Sequence, residues 1–297
     1  MILVVNHDGV DTRGGVFPYP GSKGLLAPWI ISHLPDHETF VEAFGGSAAV
    51  TVQKPESRNE IINDSDGDIV HFFETLRDRC GEVAQWCRET PFSRDLHRKY
   101  ANQFYEGYRP DDDIERAGRF FYVRNTQFAQ KYTDISGFRL ARARNHAQQY
   151  LNRVDALEAF AERLRSVQVE NLDYADLVDR VDATDTLFYF DPPYVDVGDE
   201  LYSHEAFDHE RFVSVLASIE GDWICSYTEL PAGLGEYHVV ERERRGTMRT
   251  GQGDWSQENT ERLVMNFDPK QKPLFVDVQQ ATLSSDQYRT NGGDACE

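Results

Sequence analysis

The feature that most constrains this chain's fold is a strand that ends in a glycine turn, followed by a second strand that ends on an acid. Residues 39–44 are mostly apolar and β-prone, and they run directly into Gly45-Gly46-Ser47 and a predicted helix start at Ala48. Residues 60–64 then predict a second strand that ends at Asp64. This order is typical of a βαβ unit, which predicts parallel strands covered by helices.

The rest of the chain predicts a mixed α/β core that an arginine-rich helical stretch interrupts. The continuous apolar run over 186–190 predicts a buried strand. Other segments show strand or helix patterns: strands over 167–170, 222–227, 237–242 and 260–268, and helices over 24–34, 66–90 and 208–220. Residues 86–165 have a helical pattern broken by glycine and proline. We therefore predict an α/β fold, one sheet with an inserted, mainly helical segment.

Composition places the chain among acidic globular proteins. Its 297 residues carry a formal net charge of −20, and only six of the 31 basic residues are lysine. An Asp-rich, Lys-poor surface suits a salt-saturated cytoplasm, so we predict a halophilic source. No apolar run is long enough for a membrane span, and no basic leader segment begins the chain. The four cysteines form no CxxC pair, which predicts a reduced, cytoplasmic protein without a disulfide framework or a metal site.

Basic charge is concentrated in one segment. Residues 115–153 contain eight basic and two acidic residues, so this segment carries +6 and the rest of the chain −26. Aromatic and amide residues interleave with the arginines, a mixture that suits phosphate contacts and base-edge hydrogen bonds. The alternative is an arginine-rich helix solvated on one face. The candidates for nucleic-acid contact are Arg124, Asn125, Gln127, Lys131, Arg139, Arg142 and Arg144.

The glycine turn predicts a cofactor site. Phe44-Gly45-Gly46 follows a parallel strand, where ligands bind in open α/β sheets, and glycine lets a ligand approach the backbone. Asp64, at the end of the next strand, has the position of a carboxylate that accepts hydrogen bonds from a ribose diol. A tight turn without a ligand is the alternative. The spacing leaves NAD and S-adenosylmethionine open, and the lack of a complete GxGxxG disfavours a dinucleotide.

The tetrapeptide Asp191-Pro192-Pro193-Tyr194 directly follows the predicted strand at 186–190. Two successive prolines fix the backbone and remove two N–H donors. The Asp191 carboxylate and the Pro192 carbonyl are then rigid acceptors beside an aromatic ring. This set suits a planar group with an exocyclic amine, which needs both hydrogens held while its lone pair attacks. A proline-stiffened loop is the alternative.

Through these residues the chain resembles the DNA adenine-N6 methyltransferases of the alpha arrangement, the family of DNA adenine methylase. Its motifs follow the family's order over residues 17–278: Tyr19-Pro20-Gly21-Ser22-Lys23, Phe44-Gly45-Gly46, Asn63-Asp64, the basic insertion and Asp191-Pro192-Pro193-Tyr194. The chain departs from the family at Asp66, where asparagine is usual. It departs again at Phe128-Ala129-Gln130, where relatives often have Phe-Asn-Gly.

The resemblance implies methyl transfer from S-adenosylmethionine to N6 of a flipped-out adenine in duplex DNA. It implies that Tyr19 packs against the cofactor, that Lys23 meets its methionine carboxylate and that Asp64 holds its ribose hydroxyls. It also implies that Asp191 lies between cofactor and target amine and that the base stacks on Tyr194. The implied fold is the Rossmann-like mixed sheet of class I methyltransferases with an inserted target-recognition domain.

The same motifs divide the chain into domains. The predicted catalytic domain has two parts, residues 1–85 and 166–278, separated by a target-recognition insertion at 86–165 and followed by a flexible tail at 279–297. We expect a monomer or a weak dimer that binds double-stranded DNA and no membrane. A restriction-modification role would add a companion restriction endonuclease as a partner.

Three other functions compete with this one. An RNA or protein methyltransferase would share the cofactor site but would not need the basic insertion. A cytosine-N4 methyltransferase uses similar chemistry but usually has serine in place of Asp191. A catalytically silent DNA-binding protein would keep the insertion and would have lost the cofactor residues, whereas Lys23, Asp64 and Asp191 are all present.

Overall fold

The structure is a computed structural model that describes residues 14–128, 137–140, 144–194, 207–244 and 259–271. Its seven strands are β1 (Thr39–Glu42), β2 (Asn59–Asn63), β3 (Gln168–Glu170), β4 (Thr186–Phe190), β5 (Asp222–Tyr227), β6 (His238–Arg244) and β7 (Asn259–Met265). They form one sheet in the order β3-β2-β1-β4-β5-β7-β6. The first five strands in this order are parallel, and β7 is antiparallel to both β5 and β6. This sheet confirms the predicted mixed α/β fold.

Eight helices accompany the sheet in the described ranges: α1 (Ala27–Ile31), α2 (Gly67–Glu89), α3 (Arg94–Tyr105), α4 (Asp113–Thr126), α5 (His146–Asp155), α6 (Leu157–Leu164), α7 (Tyr174–Val181) and α8 (His209–Leu216). The predicted helices at 24–34, 66–90 and 208–220 are confirmed with shorter bounds. Asp66 caps α2, because its side chain accepts a hydrogen bond from the Asp68 backbone amide. Among these helices, none has both the length and the apolar character needed to cross a membrane.

The helix predicted to start at Ala48 is wrong. The segment between β1 and β2 forms a series of turns, although the Val52 amide still donates to the Ala48 carbonyl at 3.0 Å. Ala48 has a φ of +54°, outside the right-handed helical region. The β-branched residues Val50-Thr51-Val52 and the proline at 55 further disfavour a helix.

The helices of the arginine-rich stretch pack on α2. One hydrophobic cluster joins residues of α2, α4, α5 and α6 to Ile62 of β2 and to Val167 beside β3. Gly118 of α4 lies against the Trp86 ring of α2, and a Cβ at this glycine would be 2.2 Å from a ring carbon. These helices therefore share a core with the sheet's own covering helix.

A buried charged cluster fixes α6 to the sheet. Glu60 of β2 accepts from Arg163 of α6 at 2.5 Å, and it also pairs with the Lys54 ammonium. Arg163 donates in addition to the Thr51 carbonyl at 2.7 Å. All three charged side chains are at most 5% exposed. The cluster connects the last helix of the arginine-rich stretch to β2 and to the turns between β1 and β2.

Candidate active site

A cavity of about 820 Å³ lies where four parallel strands end. Its lining comes from the segments that directly follow β1, β2, β3 and β4, as open parallel sheets generally provide. Tyr19 and Lys23, which precede α1 in the chain, also line the cavity. Phe104 at the end of α3 and Arg109 in the loop that follows line it as well. The cavity thus brings together the predicted cofactor motifs and the part of the predicted insertion at 86–165 that follows α3.

The glycine turn after β1 packs closely against the end of β2. The Gly45 amide donates to the Asn63 carbonyl at 2.7 Å, and a Cβ at Gly45 would lie 2.6 Å from Ile62 Cγ2. Gly46 has a φ of +48°, and a Cβ at this position would lie 3.1 Å from a carbon of the Tyr19 ring. Only glycine fits both positions without strain, and both glycines line the cavity.

Asp64 lies half-buried at the far side of this turn. Its Oδ2 accepts from the Gly46 amide at 2.8 Å, and its Oδ1 accepts from the Asp66 amide at 2.9 Å. Burial raises the pKa of Asp64 to about 6, although these two hydrogen bonds lower it. Each carboxylate oxygen has a second lone pair, so the group remains an acceptor toward the cavity.

Asp191 and Lys23 meet at the end of β4. The Lys23 ammonium is 2.7 Å from Asp191 Oδ1, and the lysine is only 5% exposed. It also donates to the Gly21 carbonyl at 3.1 Å. Burial raises the pKa of Asp191, and the neighbouring Lys23 opposes that rise. The ion pair therefore favours the ionised, accepting form of this buried carboxylate.

Tyr194 completes this group of side chains. Its ring lies 4.7 Å from the Lys23 ammonium, and its hydroxyl donates to Glu261 of β7 at 2.5 Å. Glu261 is also 3.6 Å from the Lys23 ammonium. Burial raises the pKa of Tyr194 well above its usual range, so the phenol stays protonated as a donor.

Three acids at or beside the cavity are among those that the sequence did not single out. Glu42 ends β1 and accepts from the Thr51 amide at 2.8 Å and from its hydroxyl at 2.5 Å, and burial raises the pKa of Glu42 to about 7. Asp173 follows β3 and pairs with Arg211 at 2.6 Å. Glu261 is the third. For Glu42 and Asp173, the position at or just after a strand end is a signal that the sequence contained.

The candidate DNA-contacting residues fall into separate groups. Arg124, Asn125 and Gln127 are buried at the end of α4, where the Asn125 amide donates to the Phe121 carbonyl and the Gln127 amide to the Tyr105 hydroxyl. Burial at these three positions does not support the predicted surface contacts. Arg144 is exposed, and Arg139 donates to the Gln127 carbonyl at 2.7 Å. Lys131 and Arg142 lie outside the described residues.

Ion pairs neutralise part of the basic charge that the insertion carries in the sequence. Arg116 is 2.9 Å from Asp68, which also pairs with Arg109 at 2.6 Å. Arg119 pairs with Glu115 at 2.6 Å. Glu115 is already subtracted in the +6 of residues 115–153 and Asp68 is not, so the Arg116–Asp68 pair makes that count an overstatement of the segment's unpaired positive charge.

Carboxylates outnumber cations around the cavity. Its acidic lining residues are Glu42, Asp64, Asp66, Asp68, Asp173, Asp191 and Asp208, and its basic ones are Lys23, Arg109 and Arg211. A positively charged ligand is favoured in such a lining. Among the described residues, no group of three or more His, Cys, Asp or Glu side chains is arranged to hold a metal ion.

Comparisons with known proteins agree with these motifs. A family model of the D12 class N6 adenine-specific DNA methyltransferases matches residues 19–227. Comparison with curated proteins gives no match. One similar solved structure is a precorrin 8w decarboxylase from Methanobacterium thermoautotrophicum, at 10% identity and a TM-score of 0.33, over 85% of this chain and 94% of that chain.

Proposed function

The chain belongs to the D12 class N6 adenine-specific DNA methyltransferase family, and we propose that the cavity at the ends of β1 to β4 is its active site. As a member, it is an adenine-specific DNA methyltransferase that depends on S-adenosylmethionine. The observation that carries the proposal is the position of the Asp191 carboxylate. It lines the same cavity as the Gly45-Gly46 turn and Asp64 and is paired with Lys23.

The cavity lining fits S-adenosylmethionine. This cofactor carries a sulfonium and an ammonium, which suit a lining rich in carboxylates. We assign Asp64 to the ribose hydroxyls, because its oxygens keep free lone pairs toward the cavity. Tyr19 and Phe44 provide apolar surface for the cofactor, and Gly45-Gly46 permits close backbone approach. Lys23 lines the same side, so we retain its predicted contact with the methionine carboxylate in addition to its pairing with Asp191.

When bound, S-adenosylmethionine supplies an electrophilic methyl group. The chain's own task is to hold and activate a weakly nucleophilic amine, because the adenine N6 lone pair is delocalised into the ring. Asp191 and the Pro192 carbonyl accept hydrogen bonds from the two N6–H groups, which favours a pyramidal nitrogen. Lys23 keeps Asp191 ionised for that role, and the Tyr194 ring stacks on the base.

Adenine must leave the duplex to reach this cavity. Its amine lies inside the double helix, so we propose that the target base flips out, at a cost of a few kcal/mol that stacking on Tyr194 offsets. Arg139 and the exposed Arg144 belong to the insertion and provide contacts to the phosphate backbone of the DNA.

The biological setting is also part of the proposal. The acidic, lysine-poor composition supports a halophilic source and a cytoplasmic location. We further propose a monomer or weak dimer that acts on duplex DNA within a restriction-modification system, with a companion endonuclease. Single-molecule sequencing of DNA from a host that expresses the gene would report the modified base and its sequence context.

The proposed site is tested with purified protein and S-adenosylmethionine labelled in its methyl group. We expect label in duplex DNA, recovered as N6-methyladenine, and no label in RNA or protein. The Asp191→Ala variant is the matched negative control. Label recovered as N4-methylcytosine, or an active Asp191→Ala variant, would contradict the assignment.

A further inference from the structure

Glu261 contacts Lys23 and Tyr194 of the proposed active site although it comes from the antiparallel part of the sheet. It belongs to β7, beyond residues 19–227 that match the family, and it is 1% exposed. β7 is held on both sides, by β5 and by β6, where Glu261 is opposite Arg242. The backbone that carries Glu261 is therefore fixed between β5 and β6.

We propose that Glu261 is a positioning residue for methyl transfer, which acts through Tyr194 and Lys23 and does not touch the substrate. The proposal rests on the function assigned above. Two contacts carry it: the Tyr194 hydroxyl donates to Glu261 at 2.5 Å, and the Lys23 ammonium lies 3.6 Å from the same Oε1. One carboxylate oxygen thus faces both side chains that surround Asp191.

The contact with Tyr194 fixes the plane of the ring. A tyrosine side chain has two rotatable bonds, and the prolines before it restrict the backbone but leave both of those bonds free. A hydrogen bond from the hydroxyl to a buried, charged acceptor fixes the far end of the ring. Glu261 therefore sets the surface on which the flipped adenine stacks.

The contact with Lys23 shares one ammonium between two carboxylates. Lys23 lies closer to Asp191, at 2.7 Å, than to Glu261, at 3.6 Å. This placement directs the ammonium to one oxygen of Asp191 and leaves the other oxygen for the target amine. Without Glu261 the lysine loses its second carboxylate, and its position relative to Asp191 is no longer fixed from the β7 side.

A purely structural role for Glu261 would give a different experimental result from a positioning role. If Glu261 only balanced the charge of Lys23, its replacement would lower the unfolding temperature and leave the rate of the folded enzyme unchanged. A positioning role instead lowers kcat in folded protein, with little change in cofactor affinity. It also makes the effects of Glu261 and Tyr194 substitutions depend on each other.

The test is a double-mutant cycle with Glu261→Met and Tyr194→Phe, each measured as a single-turnover methylation rate at saturating cofactor and duplex DNA. We expect each single variant to lose about tenfold or more in rate, the scale of a charged hydrogen bond, while the cofactor Kd stays within about threefold. The double variant should be no slower than the slower single variant. Glu261→Gln retains an acceptor for the hydroxyl and should recover part of the rate.

Glu241→Met is the matched control, since Glu241 lies on neighbouring β6 and pairs with Arg262 away from the cavity. It should keep the wild-type rate. A folded Glu261→Met enzyme with the wild-type rate, or losses that multiply in the double variant, would overturn the proposal. If Glu261→Met does not fold, the same cycle is made with Glu261→Gln, and an additive result overturns it equally. A wild-type enzyme that methylates no adenine would instead refute the proposed function.

Discussion

The ammonium of Lys23 lies 2.7 Å from Oδ1 of Asp191, so the proposed catalytic carboxylate has a cationic partner within the protein itself. A buried carboxylate without such a partner would tend to take up a proton. Protonated Asp191 would offer one acceptor fewer to the target amine. The pair therefore links the motif at the start of the match to the tetrapeptide after β4.

The first prediction follows from this pair. Lys23→Met removes the interaction that lowers the pKa of Asp191, so that pKa rises further above its usual range. Because activity needs the ionised carboxylate, the acidic limb of the kcat–pH profile should move to higher pH. Lys99→Met, at an exposed position in α3, should leave the profile unchanged. An unmoved acidic limb in Lys23→Met would show that the lysine does not control Asp191.

Removal of the acceptor itself should stop the chemistry and spare binding. Asp191→Ala should abolish methylation and leave S-adenosylmethionine affinity within about tenfold, because the lost group acts mainly on the transition state. Cofactor affinity is measured by calorimetric titration and turnover by methyl-label transfer. Substantial turnover in the purified variant would contradict the mechanism.

Cofactor affinity should depend on the charge of Asp64. Asp64→Ala should weaken S-adenosylmethionine binding by about 1.5–3 kcal/mol, the scale of a charged hydrogen-bond partner. The pKa of Asp64 is raised to about 6, so wild-type affinity should be full above that pH and fall as pH decreases through it. Asp64→Asn should bind weakly at every pH with a flatter profile. A wild-type Kd that is constant between pH 5 and 8 would contradict this role.

DNA affinity should depend on the basic residues after α4. Neutralising Arg139, Arg142 and Arg144 together should weaken DNA binding and leave cofactor affinity unchanged. Each phosphate contact makes the logarithm of the DNA-binding constant fall with the logarithm of salt concentration, at a slope of about −0.9. The formal charge of −26 outside residues 115–153 repels DNA, and this repulsion weakens as salt rises. We therefore expect a shallow salt dependence and activity that persists at molar salt. A steep loss of binding at molar salt would refute both this charge balance and the halophilic source.

Replacement by alanine should have opposite effects on protein stability at two glycines. At Gly118 in α4 the new Cβ would lie 2.2 Å from the Trp86 ring, so Gly118→Ala should destabilise the protein by about 1–3 kcal/mol. Gly81 in α2 has open space around it, and Gly81→Ala should stabilise by about 0.5–1 kcal/mol through helix propensity. Denaturant unfolding of both variants checks the pair. A stable Gly118→Ala would mean that α2 and α4 separate more easily than their packing indicates.

The parallel core was predictable because its signals are local. The apolar run that forms β4 was predicted with its observed bounds, since a strand buried on both faces is continuously hydrophobic. The turn at Gly45 and the acid at Asp64 were placed together because parallel strands end at one edge. The order of the motifs along the chain and the positions of the strand ends were therefore enough to predict most residues on the cofactor side of the proposed site.

The remaining features depend on packing that charge and composition do not reveal. Arg124 was counted as a DNA contact, yet α4 is enclosed by α2 and α3, so even its last turn is buried. Glu261 escaped notice because β7 reaches the site only through the sheet order β5-β7-β6, which no local pattern specifies. The sequence also could not show that Arg116 and Arg119 would be neutralised by nearby acids.

The buried contact between Glu60, Lys54 and Arg163 limits how target specificity can be transplanted between relatives. A chimaera that exchanges residues 86–165 as one module removes Arg163 and leaves the buried Glu60 with only one of its two cationic partners. The recipient would suffer a folding defect that has no connection with the DNA sequence it was meant to recognise. An exchange that keeps α6 with the recipient and joins the donor segment before residue 157 avoids this defect.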